Sequence, residues 1–366
     1  MLVFGNITIY DKIKKNMSSR IKVLQKAVFA AFLWLFILTF YSTGAIRCVW
    51  TGVDKIVAVA DLHGNYDGFV KILKSTDLID EELNWIGGNT HLVQLGDIMD
   101  RGDGAKKIFD LLMKLEKQAE MAGGYIHTLI GNHEEINILG LAFGFSGYVT
   151  VEQFISFLPE NYKKKMEKDI RKEFEKQKNN SASQESELQE ALHKFWMRTM
   201  TESLPQEFYH ENFMDEYGKW ILTKNVVIKI NNIIFTHGGI NKKYSEWKLV
   251  DINETLRREL SFLSRGVSIN RTIAYHPDSP LWFRDFARDE GNGLKEDLEY
   301  VLNNLNADTM VIGHTVIDKA NFSEEDLRHF DGKVWAIDTG ISEAYWGELS
   351  ALIIKDGKFQ LWGEFN

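Results

Sequence analysis

Asp61 and His63 lie two residues apart in VADLHGN, at 59–65. Four more short polar motifs follow. LGDIMDRG carries Asp97, Asp100 and Arg101, IGNHEE carries Asn132 and His133, FTHGGI carries His237, and VIGHT carries His314. Each alone reads as a turn, because Gly, Asn and Asp are what a reversing chain uses. As an ordered set they offer carboxylate, imidazole and amide-oxygen donors. That mixture suits a pair of divalent ions of Mn, Fe or Zn type. Two ions roughly 3.5–4 Å apart need one bridging carboxylate and terminal ligands on both sides, and the five motifs hold enough donors for both.

Short apolar runs precede these motifs or continue their spacing, at 55–62, 91–96, 125–130, 310–312 and 333–337. Strands buried on both faces read this way. Loops at the carboxyl ends of such strands are where an α/β sheet places its site. Two hairpins are expected, 226–230 with 233–236 across Asn231-Asn232, and 349–355 with 358–362 across Asp356-Gly357. Helical spacing marks 104–121, closed by Gly123, and 294–305. Strands alternate with helices in the first half and hairpins occur in the second, which together suggest a mixed sheet arrangement. The stretch 151–217 differs in composition, with KKKMEKDIRKEFEKQK followed by NNSASQESELQE. It reads as an inserted helical cap whose charge run is a solvated face.

The chain has 366 residues, enough for one large domain or two. With 44% hydrophobic and 26% charged residues it is ordinary globular material, which excludes a mainly disordered chain. Net charge is −9, and six basic residues against one acid fall in the first 26 positions, so the remainder is more acidic still. A body of that sign is not a nucleic-acid surface, and no nucleic-acid partner is expected. The single cysteine, Cys48, excludes an intrachain disulfide and a Cys-based zinc finger. Residues 27–46 are uncharged between Lys26 and Arg47, with a dense apolar core and a Ser-Thr-Gly-Ala end. This predicts a secretory signal cut near Ala45, with Met17 as a later start, and hence a protein in the secretory pathway or outside the cell. A stretch of that length can also span a bilayer, so a retained single-pass anchor with membrane contact through 27–46 is the alternative. The expected organisation is a targeting segment at 1–45 and a catalytic domain at 46–366. Sequons at Asn179, Asn253, Asn270 and Asn321 are compatible with secretion.

The motif set, with GNHEEINILG, the following YVTVEQF, SPLWFRDFA at 279–287 and IDTGIS at 337–342, resembles the calcineurin-type metallophosphoesterases of the phosphoprotein phosphatase superfamily. Within it the chain is similar to the Shewanella-like protein phosphatases, from about Lys55 to Trp362. The resemblance implies an α/β (α+β) fold, an αββα sandwich of two mixed β-sheets flanked by helices. It implies a metal-dependent phosphomonoester hydrolase, a protein phosphatase on phosphoserine, phosphothreonine or phosphotyrosine, working by direct attack of a hydroxide bridging two metals. Asp61, His63 and Asp97 would hold the first ion. Asp97 would bridge to the second, completed by Asn132, His237 and His314. His133 would be the general acid, oriented by Asp100, and Arg101 and Arg284 would bind the phosphate. For Arg284 a surface ion pair with Asp285 or Asp289 is the competing reading.

The physical chemistry agrees with these roles. A phosphomonoester is a dianion at neutral pH, and two cations offset its repulsion of hydroxide. An arginine fork binds phosphate oxygens in pairs, and a carboxylate-held histidine can protonate the leaving oxygen. Two departures from the family pattern stand out. Ala60 replaces a usual glycine, and ISEAYWGEL at 341–349 replaces the toxin-contacting loop of eukaryotic serine/threonine phosphatases. A small-molecule or nucleotide phosphoesterase and a metal-binding pseudophosphatase adaptor are the alternative functions. The other histidines, His91, His127, His193, His210, His276 and His329, read as structural or surface residues.

Overall fold

The computed structural model describes residues 46–177, 184–267, 272–288, 291–317, 322–345 and 347–364. The expected leader at 1–45 lies outside them, as do Asn179, Asn270 and Asn321. No helix among the described residues is long and apolar enough to cross a membrane.

After a short edge strand β1 (Val49–Trp50), the apolar runs become β2 (Lys55–Val59), β3 (His91–Gln94) and β4 (Tyr125–Thr128), all parallel. The first hairpin forms as β5 (Val227–Ile230) and β6 (Ile233–Thr236), followed by β7 (Thr309–Ile312), β8 (Arg328–His329) and β9 (Val334–Ala336). The second forms as β10 (Leu349–Lys355) and β11 (Lys358–Glu364), with Asp356 and Gly357 at φ +52° and +72°, the left-handed pair a type I′ turn needs. The strands make a five-stranded sheet ordered β11-β10-β2-β3-β4 and a six-stranded sheet ordered β1-β5-β6-β7-β9-β8. Both are mixed.

The period of two along each strand divides the core. Ile56, Ala58, Val93, Ile228, Phe235, Val311 and Leu352 pack together between the sheets. Their neighbours Val57, Val59, Leu92, Ile234, Met310 and Ile312 pack against helices instead. Those helices include α1 (Tyr66–Ser75), α2 (Ala105–Met121) and the short α3 (Asn132–Ile138). In α2, Ile108, Leu111, Leu112 and Leu115 form the buried stripe.

The 151–217 segment is helical. It comprises α4 (Val151–Phe157), α5 (Glu160–Gln177), α6 (Gln184–Thr199), α7 (Ser203–Phe213) and a wide turn at 214–218. Its inner part is continuous with the main core: Phe154, Phe157, Tyr209, Phe213 and Tyr217 are buried with Phe109 of α2. Of its helices α5 is the polar one, and its charge run is mostly exposed, as the sequence suggests. Beyond it come α8 (Leu249–Leu263) and α9 (Asn292–Leu305). On α8, Asn253 is fully buried. Its Oδ1 accepts from Val226 N at 2.7 Å and Val227 N at 3.1 Å, so this sequon is no acceptor in the folded chain.

Candidate dinuclear metal centre

The chemistry-bearing residues follow strand ends in both sheets. Asp61 and His63 come after β2, Asp97 after β3, and Asn132 and His133 open α3 after β4; His237 follows β6 and His314 follows β7. All are buried, none more than 5% exposed. Several hold a left-handed backbone: His63 (φ +40°), Asp97 (+55°), Asp100 (+67°), Arg101 (+66°) and His314 (+66°). Each such conformation costs on the order of 1 kcal/mol or more and persists only where surroundings impose it. One such constraint is Glu134, whose carboxylate accepts from the amides of Asp97 (2.8 Å), Ile98 (2.8 Å), Met99 (3.3 Å) and Gly131 (2.9 Å). Close approach explains two motif glycines. A Cβ on Gly131 would stand 2.2 Å from Asp97 Oδ1, and one on Gly313 2.5 Å from Asp61 Oδ1.

The donor atoms face one another. His63 Nδ1 lies 2.9 Å from the Met99 carbonyl and His237 Nδ1 2.9 Å from that of Leu95. Each Nδ1–H therefore donates outward, and each Nε2 turns a lone pair inward. His63 Nε2 is 4.0 Å from Asp61 Oδ2 and 3.8 Å from Asp97 Oδ2. His237 Nε2 is 3.4 Å from Asp97 Oδ1 and 3.0 Å from both Asn132 Oδ1 and His314 Nδ1. The oxygens of Asp61, Asp97 and Asn132 and the Nε2 atoms of His63 and His237 bring lone pairs together, and these repel unless a cation or a shared proton stands among them. Asp97 presents one oxygen to each group, and the sets His63–Asp97–His133 and Asp97–His237–His314 share it. The residues thus fit two divalent ions with a common carboxylate.

Electrostatics point the same way. Burial, with Asp338 and Asp97 nearby, pushes Asp61 well up, and burial pushes Asp338 up to about 6. Burial would raise Asp97 too, but His237, His133 and His63 hold it well below the usual carboxylate range. Burial and His133 lower His63 to about 4, and burial and His237 lower His314 further below its ordinary value. His133 goes the other way. Burial lowers it, but the Asp97 and Asp100 carboxylates raise it above an ordinary imidazole. The two raised carboxyls, Asp61 and Asp338, are the groups short of positive charge.

His133 Nδ1 sits 2.7 Å from Asp100 Oδ2, and its Nε2 is 3.9 Å from Asp97 Oδ2. Its ring stacks on Tyr148 at 4.5 Å. Arg101 is held between Tyr148 and Tyr345, at 4.8 and 5.2 Å from the ring centres, and its Nε is buried without a partner. Arg284 Nη1 donates to the His314 carbonyl at 2.5 Å and to Thr315 Oγ1 at 3.3 Å. The guanidinium is thereby anchored on a metal-site loop; Asp289, one suggested ion-pair partner, lies outside the described residues. Phe145, Tyr148, Tyr275, Trp282, Arg284 and Arg288 are among the residues lining an open cleft of about 490 Å³ beside these groups.

Sequence reasoning assigned no role to Asp338, Glu134, Tyr148 or Tyr345. Asp338 was findable, since IDTG follows β9 as the other motifs follow their strands. Glu134 was not, because its neighbour Glu135 looks the same in sequence. His91 and His127 form a buried pair at 2.9 Å on β3 and β4, not in the loops at the carboxyl ends of the strands.

Two mixed sheets whose strand ends converge on a shared carboxylate define a two-metal hydrolase. The chain belongs to the calcineurin-like phosphoesterase family, whose model matches residues 54–318. Members use a dinuclear divalent metal centre, and the protein is a metal-dependent phosphatase acting on a phosphorylated substrate. It is 29% identical over 300 residues to Shewanella-like protein phosphatase 1 of Plasmodium berghei, covering 80% of this chain and 68% of that one. It is 29% identical over 271 residues to Shewanella-like protein phosphatase 2 of Arabidopsis thaliana, covering 72% and 67%. The crystal structure of a cold-active protein-tyrosine phosphatase of a psychrophilic Shewanella species superposes with a TM-score of 0.61 at 23% identity, covering 87% of this chain and 82% of that one. That likeness shows a common fold.

Proposed function

We propose that the protein is a protein phosphatase in which Asp61, His63 and Asp97 hold one ion and Asp97, Asn132, His237 and His314 the other. The ions, of Mn, Fe or Zn type by the softness of these donors, supply charge neutralisation and an activated water when bound. The chain's own residues do the rest. Arg101, held between two tyrosines, and Arg284, anchored on the His314 loop, bind the phosphate oxygens. His133 donates a proton from Nε2 to the leaving oxygen while Asp100 fixes its Nδ1–H. The observation that carries the reading is the His133–Asp100 pair, buried at 2.7 Å beside the carboxylate common to both donor groups.

The kinship to Shewanella-like protein phosphatases and the open, aromatic-walled cleft support a protein side chain as substrate. The same aromatic walls would stack on a nucleobase, which keeps nucleotides as the second reading. Turnover of phosphotyrosine and phosphothreonine peptides should be compared with nucleotides and sugar phosphates, with metal content measured. A nucleotide or sugar phosphate with a higher kcat/KM than every phosphopeptide would overturn the protein-phosphatase reading. We further propose that residues 1–45 are a secretory signal. N-terminal sequencing of native protein should find a start near Ile46; an intact start at Met1 or Met17 with membrane retention would establish an anchor instead.

A further inference from the structure

Asp100 is held by more than His133. Its Oδ2 accepts from His133 Nδ1 at 2.7 Å and Asn137 Nδ2 at 2.9 Å, and its Oδ1 accepts from Gln153 Nε2 at 2.8 Å. Gln153 Oε1 in turn accepts the Asp100 amide at 2.8 Å. The Gln153 amide also donates to the Tyr209 hydroxyl oxygen at 3.0 Å, and that hydroxyl donates to Asn137 Oδ1 at 2.9 Å. Asp100, Gln153, Tyr209 and Asn137 therefore close a ring, and none of the four is more than 1% exposed.

The ring admits one arrangement. A backbone N–H only donates and a carboxylate only accepts, so Gln153, placed against both, can face them in one orientation. Its second N–H then occupies the tyrosine oxygen, and the tyrosine has one proton left for Asn137. Burial and the Asp100 charge hold the Tyr209 hydroxyl well above its ordinary range, so it stays a neutral donor. Turning any member leaves a buried polar group unpaired, at a cost of about 1–3 kcal/mol. The two contacts from Gln153 also grip the amide and the carboxylate of a residue at φ +67°.

Gln153 lies on α4 and Tyr209 on α7, both within the 151–217 segment, which supplies none of the proposed metal ligands. We propose that Gln153 and Tyr209 are positioning residues for proton donation: the segment locks Asp100, and through it the plane and tautomer of the His133 ring. This rests on the reading of His133 as the proton donor. The inner helices of the segment thereby become part of the catalytic apparatus.

The test uses the zinc-loaded protein as natively processed, with Tyr209→Phe, which removes one hydroxyl, and Gln153→Met, which keeps the shape. Metal stoichiometry and KM should be unchanged. The kcat for phenyl phosphate should fall about tenfold to a hundredfold, the usual effect of losing an orienting partner, while that for dinitrophenyl phosphate, whose leaving group needs no proton, should barely change. In a His133→Asn background neither substitution should cost anything further, because the group being positioned is gone. The low-field proton resonance of His133 Nδ1–H should shift or broaden in both variants, while Tyr209→Phe stays folded with a melting temperature lowered by only about a few degrees. Equal losses on both substrates, additive losses in the His133→Asn background, or an unmoved resonance would overturn the proposal. Failure of the proton-donor reading would show differently, as a His133→Asn defect independent of the leaving group. The Nδ1–H resonance would then still decide whether the ring is positioned.

Discussion

His133 and Asp97 carry different burdens although their side chains approach within 3.9 Å. His133→Asn should keep both metals and lose roughly 10²–10⁴ in kcat, the worth of a general acid, with the loss shrinking as the leaving group becomes more acidic. Asp97→Asn removes the charge shared by both donor sets and should abolish activity on every substrate with loss of metal. Metal analysis with two leaving groups of different pKa separates the cases; metal loss in His133→Asn would refute the assignment. Glu135 offers a test of another kind. Burial pushes its carboxyl up from 4.5 to about 7, only partly opposed by the Trp282 indole N–H that donates to Oε2 at 2.6 Å. The folded form thus holds a proton that the unfolded chain releases earlier. No penalty exists below pH 4.5, stability falls as pH rises from 4.5 to about 7, and it stays reduced above. Glu135→Gln keeps an acceptor for Trp282 and removes the titration. Its stability advantage over the parent should grow from nothing near pH 4.5 to at most about 3 kcal/mol above pH 7. Denaturant melts across that range would show a flat difference if the idea is wrong.

At the scale of elements, the loop after β3 is tied to the start of α3 by one carboxylate. Glu134 takes four amide N–H groups, three of them at 97–99. A neutral amide accepts through one oxygen only, and its NH₂ would confront the other N–H groups. Glu134→Gln should therefore lower stability by about 2–4 kcal/mol and weaken metal binding, because Asp97 loses its left-handed support. Unchanged metal affinity would mean the loop is held by other means. The polar, mostly exposed helix α5 should behave differently. Replacing the connection between Gln177 and Gln184 with a short Gly/Ser linker should leave metal content intact and change the ranking of kcat/KM across substrates. Loss of metal would contradict that division between α5 and the inner helices.

Over the whole molecule the proposed ligands divide between the sheets: Asp61, His63, Asp97 and Asn132 from one, His237 and His314 from the other. Bound ions would clamp two sheets whose shared core is otherwise apolar. An ion present at a hundred times its Kd stabilises by about 2.7 kcal/mol. Chelation should then lower the melting temperature by about 5 °C or more, reversibly on adding Mn, Fe or Zn. Calorimetry of the stripped and reloaded protein checks this, and an unshifted transition would argue against a site bridging the sheets.

The order of the motifs and the apolar runs before them was legible because burial on both faces leaves an unbroken hydrophobic signature, and because turns and ligands share a small set of residue types. From these came the strands, both hairpins and the candidate donor residues; that the strands form two sheets came from the family resemblance. Asp356-Gly357 is a clear instance, since only a left-handed pair closes that hairpin. Tertiary structure decided what depends on distance across the chain. Nothing in a sequence says that Gln153 reaches Asp100 from 53 residues away, that Tyr209 joins Gln153 to Asn137, or that Glu134, not Glu135, serves the Asp97 loop. Those contacts are hydrogen bonds between long-range partners, and a polar residue in a helix has no local mark that tells a buried partner from solvent.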